Sequence, residues 1–370
     1  YQGGTSQAGP HAAGAAAVAV QWYRETRGGL TPSPALVKAM LINSADDMST
    51  AVIPDGGDFL SGEPDDSGEG ILVGDTGPVP NNDEGWGRLN LVNLIDSERR
   101  FELLDQGTGL ATTQAFERKV IVSSGDQLKV TLVYTDVPGL PAAIPALVND
   151  LDLEVIAPNG DRYRGNAFAD GESIAGTPVG DRVNNVEAVH VSEPAAGEWT
   201  VRVVAHQVVQ DVHGRTLPAP EQDFALVISG QLPAPGEGVI SWDRQAYRTP
   251  TTATLRLVDS GLTTQTQVQV TVSSTAEPGE LPVTLTRVGA GSTFVGTVSL
   301  VDGPASATDS RLTANDGDQV TARYLDAEPV GERTAVADID AQPPLISEVA
   351  AESRFGRTTV SWITSEPAIS

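Results

Sequence analysis

From Leu110 to Tyr324 the apolar residues recur at every second position, in short runs broken by Gly, Pro and Asn, and this alternation restricts the fold more than any other feature. A period of two puts successive side chains on opposite faces of an extended strand, so each run can bury one face and wet the other. Lys119 to Val122, Leu128 to Tyr134, Leu151 to Ile156, Val186 to Val191, Trp199 to Val204 and Phe224 to Ile228 all read this way. Between two of them, Pro158-Asn159-Gly160-Asp161 reads as a hairpin turn, because Asn-Gly supplies the positive φ that a tight turn needs. Short strands at this spacing, with no helical stretch among them, predict a β-sandwich or jelly roll. A second series follows the Pro/Gly-rich linker at 233–238, including Thr254 to Val258, Gln267 to Val272, Phe294 to Leu300 and Gln319 to Tyr324. It predicts another sandwich, of immunoglobulin-like size.

The first hundred residues are of another kind. Ala12 to Thr26 is an alanine-rich apolar run carrying Val18, Val20, Trp22 and Tyr23 and ending at Arg27-Gly28-Gly29, which predicts a buried helix with a glycine terminator. A second helix is predicted from Thr31-Pro32-Ser33-Pro34, a capping sequence with proline where its missing N–H does no harm, through Ala35 to Ile42. Ahead of the first helix stands Gly4-Thr5-Ser6-Gln7-Ala8-Gly9-Pro10-His11. A serine hydroxyl becomes a nucleophile when a neighbouring base takes its proton, and the first N–H groups of a helix have no carbonyl partners of their own. Ser6 at a helix opening is placed to use both. Those N–H groups, with the positive end of the macrodipole, would face an oxyanion formed by its attack on a carbonyl. Gly3 and Gly4 allow a tight backbone before it, and Pro10 is expected to fall in the first helical turn. Thr-Ser before a helix is also ordinary capping chemistry.

The segment from Gly4 to Gly14 resembles the nucleophile segment of the subtilisin-like serine proteases: Gly4-Thr5-Ser6, then Ala8, Pro10, Ala13 and Gly14. Gln7, Gly9 and Ala12 stand where that family usually has methionine, alanine and valine. The likeness continues through Val37, Lys38, Leu41, Ser44 and Ala45 and closes on Gly85, Gly87 and Asn90. From Phe101 to Leu232 the chain resembles the jelly roll that follows the catalytic domain in large bacterial subtilases, and more distantly the P domain of proprotein convertases. Tyr134-Thr135-Asp136, Leu147 to Leu153, Ala157 to Gly160, Asn184 to Glu187 and Gly197 to Val201 carry it. The resemblance implies a secreted serine endopeptidase acting on protein or peptide substrates, with Ser6 as its nucleophile and the Gly4-Thr5-Ser6 backbone at the oxyanion. In the family's order the aspartate, the histidine and the side-chain oxyanion donor precede the serine, so the chain is expected to be a fragment of a longer precursor, inactive alone. A degenerate subtilase acting as a surface adhesion or binding protein is the alternative.

The expected organisation is multidomain: the C-terminal part of an α/β subtilisin-like domain at 1–104, a jelly-roll sandwich at 105–232, a linker at 233–238, a second sandwich at 239–338, and the opening of a fibronectin-type module at 339–370. Asp55 to Glu84 reads as a long acidic loop, whose Asp55, Asp58, Asp65, Asp66 and Asp75 form a solvated face or gather calcium. In the jelly roll, Asp136, Asn149, Asp150 and Asp152 are oxygen donors of the kind calcium takes, an assignment supported by the resemblance. Asp and Asn in loops also close turns through their own side chains. A net charge of −26 without a basic run argues against nucleic acid as a partner. No apolar run is long enough to span a membrane as a helix. With no cysteine there are no disulfides. The C-terminal modules are expected to serve as spacers or in cell-surface or carbohydrate contacts.

Overall fold

The computed structural model describes residues 4–48, 52–53, 71–72, 78–82, 84–95, 100–123, 125, 127–216, 218–234, 236–289, 292–306, 310–340, 346–354 and 357–364. Most of the acidic loop from Asp55 to Glu84, with Asp55, Asp58, Asp65, Asp66 and Asp75, lies outside them. Two compact units divide at residue 234.

The first unit opens with α1 (Thr5–Thr26), α2 (Pro34–Asn43) and the short α3 (Val92–Ile95), with a two-residue pair of strands, β1 (Val52–Ile53) and β2 (Ile71–Leu72), between the last two. α2 begins as its sequence predicts: Ser33 is the N-cap, its hydroxyl oxygen accepts the Leu36 N–H at 3.1 Å, and Pro34 stands at the first helical position. α1 departs from expectation twice. It is one continuous helix from Thr5, so Pro10 sits in its second turn and deprives the Ser6 carbonyl of the N–H it would otherwise accept. It is also largely exposed: Ala19 and Tyr23 are its buried residues, whereas α2 buries Ala35, Leu36, Ala39, Met40 and Asn43.

Nine strands follow: β3 (Arg100–Leu110), β4 (Ala115–Val122), β5 (Leu128–Val133), β6 (Asp150–Ile156), β7 (Arg162–Ala169), β8 (Glu172–Ala175), β9 (Val186–Val191), β10 (Gly197–Gln207) and β11 (Gln222–Gly230). They form two antiparallel sheets, ordered β4-β10-β6-β7-β8 and β3-β11-β5-β9. One core lies between them, built from Val120, Leu153, Trp199, Val201 and Val203 of the first sheet and Val130, Leu132, Val189, Leu226 and Ile228 of the second. β10 alternates strictly between buried and half-buried positions, as a strand covered on one face should. β5 is buried at every residue because it is covered on both faces. Its outer face and that of β11 meet the helices, where Val133, Ala225 and Val227 join Leu36, Met40, Tyr23 and Leu94 in a second core. The expected boundary between residues 104 and 105 therefore falls inside β3, and the helical segment and the sandwich share one apolar cluster.

The second unit carries nine strands between Val239 and Ile339 in one continuous ladder, whose core includes Trp242, Leu255, Phe294, Leu300 and Tyr324. Ile346–Arg354 and Arg357–Thr364 pair as a hairpin.

Candidate functional site

Gly4 is the N-cap of α1, with φ at 141°, a conformation L side chains rarely adopt, and this is the local reason for glycine before the serine. Its carbonyl accepts the N–H groups of Gln7 (3.0 Å) and Ala8 (3.1 Å), so the helical ladder starts at Gln7 and the N–H groups of Thr5 and Ser6 precede it. Ser6 is the second residue of the helix and is exposed. Neither Thr5 nor Ser6 caps the helix through its side chain. The hydroxyl makes no hydrogen bond among the described residues, and the geometry at Ser6 is that of an accessible alcohol beside free helical N–H groups. One turn further on, His11 Nδ1 lies 2.7 Å from the Gln7 carbonyl. A carbonyl only accepts, so Nδ1 carries the proton of that hydrogen bond.

The other histidines belong to the sandwich. His190 is buried on β9, His206 is exposed on β10, and His213 pairs with Asp223 at 3.0 Å. His213 lies in the loop between β10 and β11, and among the described residues none of the hydrogen bonds or ion pairs of these three histidines reaches α1.

The segment carrying Gly85, Gly87 and Asn90 is fastened to the end of α2 through Asp46. Asp46 exchanges backbone hydrogen bonds with Arg88, at 2.9 and 2.8 Å, and its carboxylate accepts from Asn93 (2.6 Å), Asn90 (2.7 Å) and Arg88 (3.4 Å). Burial works against the charge, but these donors outweigh it and hold the Asp46 carboxyl below its ordinary range. Gly87 has φ at 99°, and a Cβ there would lie 2.2 Å from the Asp46 carbonyl oxygen, so only glycine fits. The three motif residues thus build one clasp.

A second fastening runs from α2 into the sandwich. Asn43, the last residue of α2, is buried against β5 and β11. Its amide donates to Thr131 Oγ1 (3.0 Å) and to the carbonyls of Lys129 (3.3 Å) and Val227 (3.5 Å), while Ser229 donates its hydroxyl proton to Asn43 Oδ1 (2.6 Å). Lys129 Nζ donates to the Ala45 carbonyl at 3.1 Å. Sequence reading passed over Asn43; its only signal is a polar residue closing an apolar run.

The residues expected to take calcium are brought together with the Asn184 to Glu187 segment, but their oxygens serve the chain itself. Asp136 accepts the N–H groups of Val137, Val148 and Asn149 at 2.7–2.9 Å, and Asn149 Oδ1 accepts those of Val209 (3.0 Å) and Gln210 (3.2 Å). Asp150 and Asp152 close on the guanidinium of Arg182, which supplies the positive charge at that point. Among the described residues no three or more His, Cys, Asp or Glu side chains are gathered in a way that could hold a metal ion. As arranged, Asp136, Asn149, Asp150 and Asp152 do not fit the six to eight free oxygens that calcium requires. Beside them Glu187 is fully buried on β9. Its Oε2 accepts the Leu153 N–H at 2.7 Å and its Oε1 has no partner. Burial, then the nearby carboxylates, push its pKa well above the ordinary carboxyl range.

Residues 1–87 match the model of the Subtilase family. The serine protease/ABC transporter B family protein tagA of Dictyostelium discoideum is 26% identical over 250 residues, a match covering 61% of this chain and 12% of that protein. Among solved structures, a DUF4785 family protein of Legionella pneumophila aligns over 71% of each chain at 8% identity and a TM-score of 0.21. The lipase BlEst2 of Bacillus licheniformis aligns over 64% of this chain and 42% of its own at 9% identity and a TM-score of 0.18. Both structural likenesses are too slight to inform the fold. The sequence matches make the N-terminal part of the chain subtilase-like.

Proposed function

We propose that this chain supplies the nucleophile of a secreted subtilisin-like serine endopeptidase. Ser6 Oγ attacks the scissile carbonyl of a protein substrate, a histidine contributed by another segment takes the hydroxyl proton and returns it to the leaving amine, and the N–H groups at the start of α1 hold the oxyanion. Water then hydrolyses the acyl-enzyme on Ser6. The observation that carries this reading is an exposed, unbonded serine at the second position of a helix, behind a positive-φ glycine, inside the segment that matches the Subtilase family. The sandwich then acts as a platform for the serine-bearing segment through Asn43 and the shared core. The linked second unit acts as a spacer or surface-contact module.

A fluorophosphonate probe tests the assignment. Joined to a segment that supplies the histidine and the aspartate, this chain is expected to label stoichiometrically, and its Ser6→Ala variant not at all. This chain alone is expected to label no faster than that variant. A folded, longer protein that fails to label would sink the enzyme reading and leave the adhesion alternative.

A further inference from the structure

The clasp around Asp46 meets the sandwich through a small aromatic cluster. Trp86 stands edge-on to Phe168 of β7 and to His190 of β9, each at 6.3 Å between centroids, and Phe168 stands edge-on to His190 at 5.2 Å. Beside it, the β7–β8 turn presses on the same segment: a Cβ on Gly171 would lie 2.7 Å from the Pro78 ring. His190 is buried, its backbone N–H donates to Ser173 Oγ at 2.9 Å, and its ring Nε2 has no hydrogen-bond partner. Directly across the ladder, in register, stands the buried Lys129 of β5.

A neutral imidazole tolerates that setting, because one ring nitrogen need only be left as an unused acceptor. An imidazolium does not. It carries a proton on both nitrogens, Nε2 faces no acceptor, and the residue paired with it is a cation. The ring can take a proton only by leaving its place, and leaving it breaks its contacts with both Trp86 and Phe168. We propose that His190 is an acid-released latch: protonation at Nε2 opens the contact between the Gly85–Asn90 clasp and the sandwich, while the Asn43 anchor of α2 stays closed.

The charged groups around the latch separate its response from general acid unfolding. Lys129 donates from its ammonium to the Ala45 carbonyl. Glu172 of β8 is engaged with Ser192, Glu84 of the clasp accepts from Met48 N–H, and Asp46 is held below its ordinary range by its donors. A released imidazole is the side chain that changes charge between pH 7.5 and 5, so the latch histidine is the group that answers to acid at this contact. Burial, and then Lys129, lower its pKa from 6.5 to about 3. The sign is that of a group whose folded form resists protonation: closure is fully present above 6.5 and is lost as pH falls below it. With those two values, the population of the open contact should rise about 30-fold between pH 7.5 and pH 5.

Hydrogen exchange by mass spectrometry on this chain, corrected for the intrinsic pH dependence, reads the effect directly. Protection of residues 84–91 should fall about 30-fold over that interval while that of α2 holds. In His190→Leu, which cannot take the proton, the fall should vanish, with far-UV circular dichroism unchanged in both proteins. Equal loss in His190→Leu, or no loss in the parent chain, overturns the latch. Should His190→Leu not fold, the ring resonances of the parent chain decide: a His190 signal titrating near 6.5 with Trp86 still protected refutes it, and a neutral ring in the closed state down to pH 5 supports it.

Discussion

α2 and β9 each bury polar side chains, and they do so in opposite ways. At the end of α2, Asn43 finds partners for both its amide nitrogen and its carbonyl oxygen on β5 and β11. On β9, Glu187 keeps one carboxyl oxygen unpartnered and His190 one ring nitrogen. A satisfied buried amide contributes on the order of 1 kcal/mol per hydrogen bond and specifies where the helix sits, whereas an unpartnered buried group costs the full loss of hydration. The first is an anchor at any pH. The second is stable only while its groups stay neutral.

The largest expected effect comes from breaking the anchor. Asn43→Leu leaves the Ser229 and Thr131 hydroxyls buried against an apolar side chain, and the urea midpoint of the first unit should drop by the equivalent of about 3 kcal/mol. A loss below about 1 kcal/mol would show that the amide does not hold the helix in place. Next comes Glu187→Gln, which keeps an acceptor for the Leu153 N–H and removes the ionisable proton. A carboxyl whose pKa is pushed up on folding contributes stability that is present below about 4.5 and lost as pH rises through its folded value. The variant should therefore be more stable than the parent at pH 7 and equal to it near pH 4. A variant that is less stable at pH 7 would show that Glu187 is ionised in the fold. The smallest effect sharpens the comparison from the other end of α2: Ser33→Ala removes the cap on the Leu36 N–H and should cost about 1 kcal/mol in the same urea titration.

Much of this was legible along the chain. The alternation of β10 appears as read, since a strand covered on one face carries its burial pattern in its own residues. The cap at Ser33-Pro34 and the glycine before Ser6 are equally local, each set by backbone groups within a few residues. β7 and β8 escaped notice because Gly165 and Asn166 interrupt any alternation; there a Cβ on Gly165 would lie 2.1 Å from Glu187 Oε2, so the glycine answers to another strand. The complete burial of β5 escaped for a related reason, since its second cover is a helix more than eighty residues earlier. α1 misled in the opposite direction: alanine-rich composition suits burial, but burial needs a surface to lie against, and among the described residues α1 meets one mainly through Ala19 and Tyr23, with the half-buried Trp22 beside them.

The amino-acid order by itself settled where most of the strands and the start of α2 fall and which serine stands at a helix opening, because propensity, capping and periodicity act over one or two turns of chain. Only the tertiary structure decided which buried polar groups would be answered. Whether Asn43 meets Ser229 or His190 meets Lys129 depends on segments far apart in sequence, and a buried polar atom gains or loses its free energy from the atoms opposite it, not from its neighbours along the chain.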